Sequence, residues 1–117
     1  MTEAVAAEEL YDRAFFERAS ECSVEAWLAF LGHRWNALVL YHLAQGPKRF
    51  GGLATCLPTV TAKVLGERLA ALERRGLVMR QGPERTAAYA LTPAGRDLMP
   101  ILNALEVWSR PLTPTAA

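Results

Sequence analysis

The side chains best suited to covalent or metal chemistry in this 117-residue chain are Cys22, Cys56, His33 and His42. A thiol reacts through its thiolate, and a place just before a helix favours that form because the aligned N–H groups stabilise negative charge. Cys22 stands just before a helical stripe, which makes it a candidate sensor thiol. Cys56, between Ala54 and Leu57, reads equally well as a small buried apolar residue. Two cysteines this far apart form neither a disulfide scaffold nor a C-x-x-C metal knuckle. The histidines share neither an i, i+4 spacing nor a nearby carboxylate pair, so no zinc site is expected and His42 reads as structural. No nucleophile with a base, paired acids or phosphate-cradling glycine loop stands out, and Gly51-Gly52 alone does not make one, so an enzyme is not expected. No cofactor is expected either.

Charge points elsewhere. The net charge is only +1, yet Glu3, Glu8, Glu9, Asp12, Glu17, Glu21 and Glu25 crowd the start against Arg13 and Arg18. From Gly46 to Arg85 the balance reverses, with eight cations (Lys48, Arg49, Lys63, Arg68, Arg74, Arg75, Arg80, Arg85) against Glu67, Glu73 and Glu84. A polyanion fits such a region, although a solvated face in an arginine-rich chain has the same composition. With 51% hydrophobic and 21% charged residues the chain reads as globular, and no apolar run approaches the ~20 residues of a membrane span. Its start lacks the basic and apolar stretches of a secretion signal, so a cytoplasmic location with reduced thiols is expected.

These residues need elements to hold them. Leu10, Ala14, Phe15 and Ala19 form one helical stripe, and Val24, Trp27, Leu28 and Leu31 form a second that ends at Gly32. The run from Ala37 to Leu43 is apolar nearly all round, as expected of a helix at the centre of a small domain, and Gly46-Pro47 ends it. Phe50, Leu53, Ala54 and Leu57 mark a helix of about two turns that stops at Pro58. Pro58-Thr59-Val60 reads as a tight connector, Thr61 as the N-cap of a helix with the core stripe Leu65, Leu69 and Leu72, and Gly76 as its stop. Leu77–Arg80 and Ala87–Leu91 are strand-like about Gly82-Pro83, giving a hairpin. Thr92-Pro93 then caps a last helix carrying Leu98, Ile101, Leu102, Leu105 and Trp108, with a kink expected at Pro100. Trp27, Trp35, Tyr41 and Trp108 read as core rather than as an effector pocket.

Helix, short helix, tight turn, longer helix, hairpin, helix is the order of a winged helix-turn-helix, a mainly α fold with a small β-hairpin wing. In that fold the segment Thr61–Arg75 enters the major groove of double-stranded DNA. With Leu65 towards the core, Ala62, Lys63, Gly66, Glu67 and Ala70 are expected to face outward. Lys63 suits guanine or phosphate, Glu67 suits cytosine, Ala62 suits a thymine methyl, and Gly66 lets the backbone approach. Arg68 adds a cationic flank. Arg85 beside the hairpin turn suits phosphate or the minor groove, and Lys48 and Arg49 precede the short helix, whose first N–H groups also suit phosphate.

Several linked motifs carry a family resemblance: Cys22-Ser23-Val24-Glu25, Gly32-His33-Arg34-Trp35, Leu40-Tyr41-His42-Leu43, Gly46-Pro47-Lys48-Arg49-Phe50, Leu69–Val78 and Tyr89–Arg96. Together they resemble the HxlR family of bacterial regulators over about Cys22 to Trp108. The resemblance implies a dimeric winged-helix repressor or activator whose terminal helices form the interface and whose target is palindromic DNA. It also implies that Cys22 senses oxidants or electrophiles, with Cys56 as a candidate partner thiol across the dimer. This chain departs from the family in a shorter segment between Arg80 and Tyr89, in Gly51-Gly52, in Cys-Ser for Cys-Pro, and in Arg34 before Trp35. The organisation expected is a helical extension over 1–21, the winged domain over 22–110 and a frayed tail over 111–117. Two other functions fit the same residues: a regulator answering a small-molecule effector without thiol chemistry, and a winged helix that binds a protein instead of DNA.

Overall fold

The computed structural model describes residues 23–112, so the first stripe, Cys22 and the residues from 113 onward lie outside the described residues. The chain divides after Arg34 into two compact units. In the first, α1 (Glu25–Leu31) packs the Trp27 ring edge-on against Phe30, with centroids 5.8 Å apart, and ends where Gly32 N donates to Leu28 O. Val24 and Leu28 of this unit are exposed.

The second unit starts at Trp35, whose φ of 81° lies in the left-handed region that a bulky residue rarely occupies. Its carbonyl accepts from Val39 N and opens α2 (Asn36–Ala44), which buries Asn36, Val39, Leu40 and Leu43. As the apolar run predicts, this helix sits largely in the core, but Leu38 is exposed. Gly46, with φ 143°, turns the chain into a two-residue strand β1 (Lys48–Arg49) and then α3 (Phe50–Cys56). After a turn, α4 (Ala62–Arg74) buries Leu65, Leu69, Ala71 and Leu72 in the centre of the core.

The end of α4 is set by Gly76. With φ 77° it lets Leu77 N donate to Leu72 O and Gly76 N to Glu73 O, the paired hydrogen bonds of a Schellman cap. The hairpin β2 (Val78–Gln81) and β3 (Ala88–Leu91) follows directly. β1 adds to the far side of β3, so the sheet has three antiparallel strands in the order β1-β3-β2, where the sequence pattern predicts only a hairpin. A two-residue strand carries no alternation long enough to be read.

Helix α5 (Pro93–Ser109) begins as predicted, with Thr92 Oγ1 accepting from Gly95 N at 3.1 Å and Pro93 at the first helical position. It continues through Pro100. At its end Arg110 Nε and Nη2 donate to both oxygens of Glu106 at 2.6 and 2.8 Å, and these hydrogen bonds hold the Glu106 carboxyl below its ordinary pKa. A short 3-10 turn, Arg110–Leu112, follows. No helix among the described residues is long and apolar enough to cross a membrane.

Candidate nucleic-acid interface

The helix-turn-helix is anchored from below. Leu53 and Leu57 of α3 and its exit, with Leu65 and Leu69 of α4, are buried. Leu57 N donates to Leu53 O at 3.0 Å and Val60 N to Leu57 O at 3.1 Å, which closes the connector tightly. Thr61 Oγ1 accepts from Val64 N at 3.2 Å and so caps α4. Fixing Leu65 and Leu69 inward leaves the other side of the same helix to solvent.

On that side Thr61, Ala62, Lys63 and Glu67 are exposed, while Gly66, Arg68 and Ala70 are half-buried. Arg68 therefore sits at the border of the face rather than in its middle. A Cβ added to Gly66 would meet no atom within 4 Å, so nothing inside the protein requires glycine there. The face offers one cation, one carboxylate, a hydroxyl and three small residues, a set able to donate to guanine or phosphate and to accept from cytosine.

The sheet brings further cations beside this helix. Lys48 and Arg80 both lie opposite Tyr89, on its two sides, so the three side chains occupy one row on one face of the sheet. Arg80 Nε also donates to Glu73 Oε2 at 3.3 Å and ties β2 to the end of α4. Lys48 and Arg49, expected only to precede α3, are thus strand residues; Lys48 is half-buried and Arg49 exposed. Sequence reasoning did not place Arg80 in the interface, and only the strand register shows its relation to Lys48. Arg85 is exposed in the loop 82–87, where Gly82 has φ 93° and Thr86 N donates to Pro83 O.

The candidate thiol and aromatic residues divide. Cys56 is a half-buried free thiol at the last residue of α3, and Cys22 lies outside the described residues. Trp27, Trp35 and Tyr41 are half-buried, but Trp108 is exposed on α5, which overturns its assignment to the core. No group of histidine, cysteine or carboxylate residues among the described residues has the arrangement of a metal site.

A model of the HxlR-like helix-turn-helix family matches residues 30–116. The chain belongs to that family. This HxlR-like chain is 35% identical over 89 residues to the HTH-type transcriptional regulator YodB of Bacillus subtilis (strain 168), covering 74% of this chain and 80% of YodB. Its fold is similar to the reduced form of YodB from B. subtilis, with TM-score 0.69, 36% identity and coverage of 73% of this chain and 86% of that one. It is also similar to the redox regulator HypR in its oxidised form, with TM-score 0.69, 31% identity and coverage of 80% of this chain and all of HypR's, 100%. The HxlR-like chain is a winged-helix transcriptional regulator, and the relatives it matches are regulators rather than enzymes.

Proposed function

We propose that two copies of this chain bind an inverted-repeat operator and repress transcription, each copy laying Thr61–Arg75 in one major groove. The observation that carries this reading is the outward face of α4, where Lys63 and Glu67 stand exposed among Ala62, Gly66 and Ala70 while Leu65 and Leu69 hold the helix from below. Lys48, Arg49, Arg68 and Arg85 supply phosphate contacts around it, which add affinity without sequence information. Pairing of two copies is supported by α5, where Ile101, Leu105 and Trp108 are 64%, 51% and 65% exposed at a spacing of four and three residues. That is the a/d spacing of a helix seam seeking a partner. Regulation through Cys22 is supported by the similarity to HypR, described as a redox regulator. Modification of Cys22, with or without Cys56, would change the separation of the two recognition helices and release the DNA.

The test is operator binding by fluorescence anisotropy, on DNA taken from upstream of the chain's own gene, at several salt concentrations. Reversing charge in Lys63→Glu with Arg68→Glu is expected to weaken binding at least tenfold and to flatten the salt dependence by roughly two phosphates' worth of slope. Unchanged affinity and preference in this variant would remove the reading. Uniformly weak, sequence-independent binding by the unaltered chain would favour a protein partner for the same face.

A further inference from the structure

A cleft of about 380 Å³ opens between the end of α2, the Gly46-Pro47 turn, β3 and one side of α5. Its floor is apolar, formed by the buried side chains of Leu43, Leu91 and Met99. At its rim stand Arg96 and Asn103, both exposed and seven residues apart on α5, hence about 10 Å apart along the helix. No carboxylate lines the cleft, and Arg96 is its one charged lining residue. The ion pairs of Arg80 with Glu73 and of Arg110 with Glu106 do not involve Arg96, whose guanidinium has no carboxylate partner among the described residues.

We infer that this cleft binds a small apolar monocarboxylate of one or two rings. A guanidinium presents two parallel N–H groups to a carboxylate, and the pair is far stronger beside an apolar wall than in open water. The volume lies within the ~300–1,000 Å³ of small-molecule sites, which combine apolar lining with a few fixed polar groups. A flat ring suits the floor because the Met99 thioether packs favourably on aromatic carbon. Asn103, at the far end, can donate to or accept from a second polar substituent. Charge selects the sign of the ligand, and the absence of any lining carboxylate disfavours amines.

The place of the cleft gives such a ligand a consequence. One wall leads through Gly46-Pro47 directly into β1 and α3, and the other is the helix that carries the exposed apolar seam. On α5 the seam residues Ile101, Leu105 and Trp108 point roughly 120–180° away from Arg96, so an occupied cleft leaves the seam free. An effect on DNA affinity rests on the operator reading above; the ligand site itself does not.

The experiment is isothermal titration of the full chain, without DNA, by 2-naphthoate and by the neutral 2-naphthamide. Saturable binding of one 2-naphthoate per chain is expected, at least tenfold weaker for 2-naphthamide and for Arg96→Gln, and partly restored in Arg96→Lys. Methyl NMR shifts are expected at Leu43, Leu91 and Met99. Equal affinity for acid and amide, no loss in Arg96→Gln, absence of saturable binding at millimolar ligand, or shifts confined to Ile101 and Leu105 would each overturn the inference. Arg96 is exposed, so its variants keep the fold, and a thermal melt verifies this. A failed titration beside intact operator binding would sink the cleft alone.

Discussion

Gly95 lies directly over the Leu77 carbonyl, so closely that a Cβ on Gly95 would overlap the Leu77 oxygen. That oxygen already accepts from Thr92 N at 3.0 Å, and Thr92 Oγ1 donates to the Gly76 carbonyl at 2.5 Å. The end of α4 and the start of α5 are therefore fastened through the backbone and the hydroxyl of Thr92. Gly95→Ala is expected to destabilise the fold by about 2–3 kcal/mol, because overpacking against a fixed carbonyl outweighs the gain in helix propensity of at most ~1 kcal/mol. Urea denaturation followed by circular dichroism measures it. A midpoint equal to that of the unaltered chain would show that the two helices separate easily.

Gly66 presents the opposite case within α4. Its Cβ position is open, so the fold gains from alanine there, by up to about 1 kcal/mol. If the small residue serves the approach of DNA, Gly66→Ala raises stability and lowers operator affinity together. Thermal melts and anisotropy on the same preparation read the two effects separately. A variant that is both more stable and fully active would take Gly66 out of the interface.

Much of this was legible in the chain because each element carries its own punctuation. Thr61 and Thr92 announce helix starts that the structure realises as side-chain caps, and Gly76 announces a left-handed stop. The stripe Leu65, Leu69, Leu72 fixes which side of α4 is outward, so Lys63 and Glu67 follow from periodicity alone. What periodicity cannot supply is long-range pairing. The β1 strand exists only because β3, some forty residues later, offers it an edge, and the row Lys48, Tyr89, Arg80 follows from that register. Trp108 departs from its expected place in the core for a related reason: helical spacing shows that Ile101, Leu105 and Trp108 share a side, not whether that side faces the chain's own core.

The exposed seam of α5 leads to a prediction about assembly. Leu105 lies at the middle of Ile101, Leu105 and Trp108 and is itself half exposed at 51%, so a carboxylate there costs the isolated chain little. In a paired seam the same carboxylate would be buried without a partner, which is far more costly. Leu105→Glu is therefore expected to sediment as a monomer with an unchanged helical circular dichroism spectrum. It should bind an inverted repeat no better than a half-site. A Leu105→Glu dimer as tight as the unaltered one would place the interface elsewhere.

Thiol regulation makes a prediction in which the two cysteines can be told apart. Cys56 ends α3, one residue before the buried anchor Leu57, so its modification would disturb the entry to the recognition helix. If Cys22 and Cys56 join across two copies, diamide takes two electrons and two protons from the thiols and leaves a disulfide. Cys22→Ser and Cys56→Ser would then both lose the cross-linked dimer on a non-reducing gel. If Cys22 acts alone, by reaction with an electrophile such as a quinone, only Cys22→Ser is protected and Cys56→Ser behaves as the unaltered chain. In either case operator binding by Cys22→Ser should survive treatment that weakens the unaltered chain at least tenfold. Release of DNA from Cys22→Ser at the same dose would end the thiol reading, and would turn attention to ligands of the Arg96 cleft.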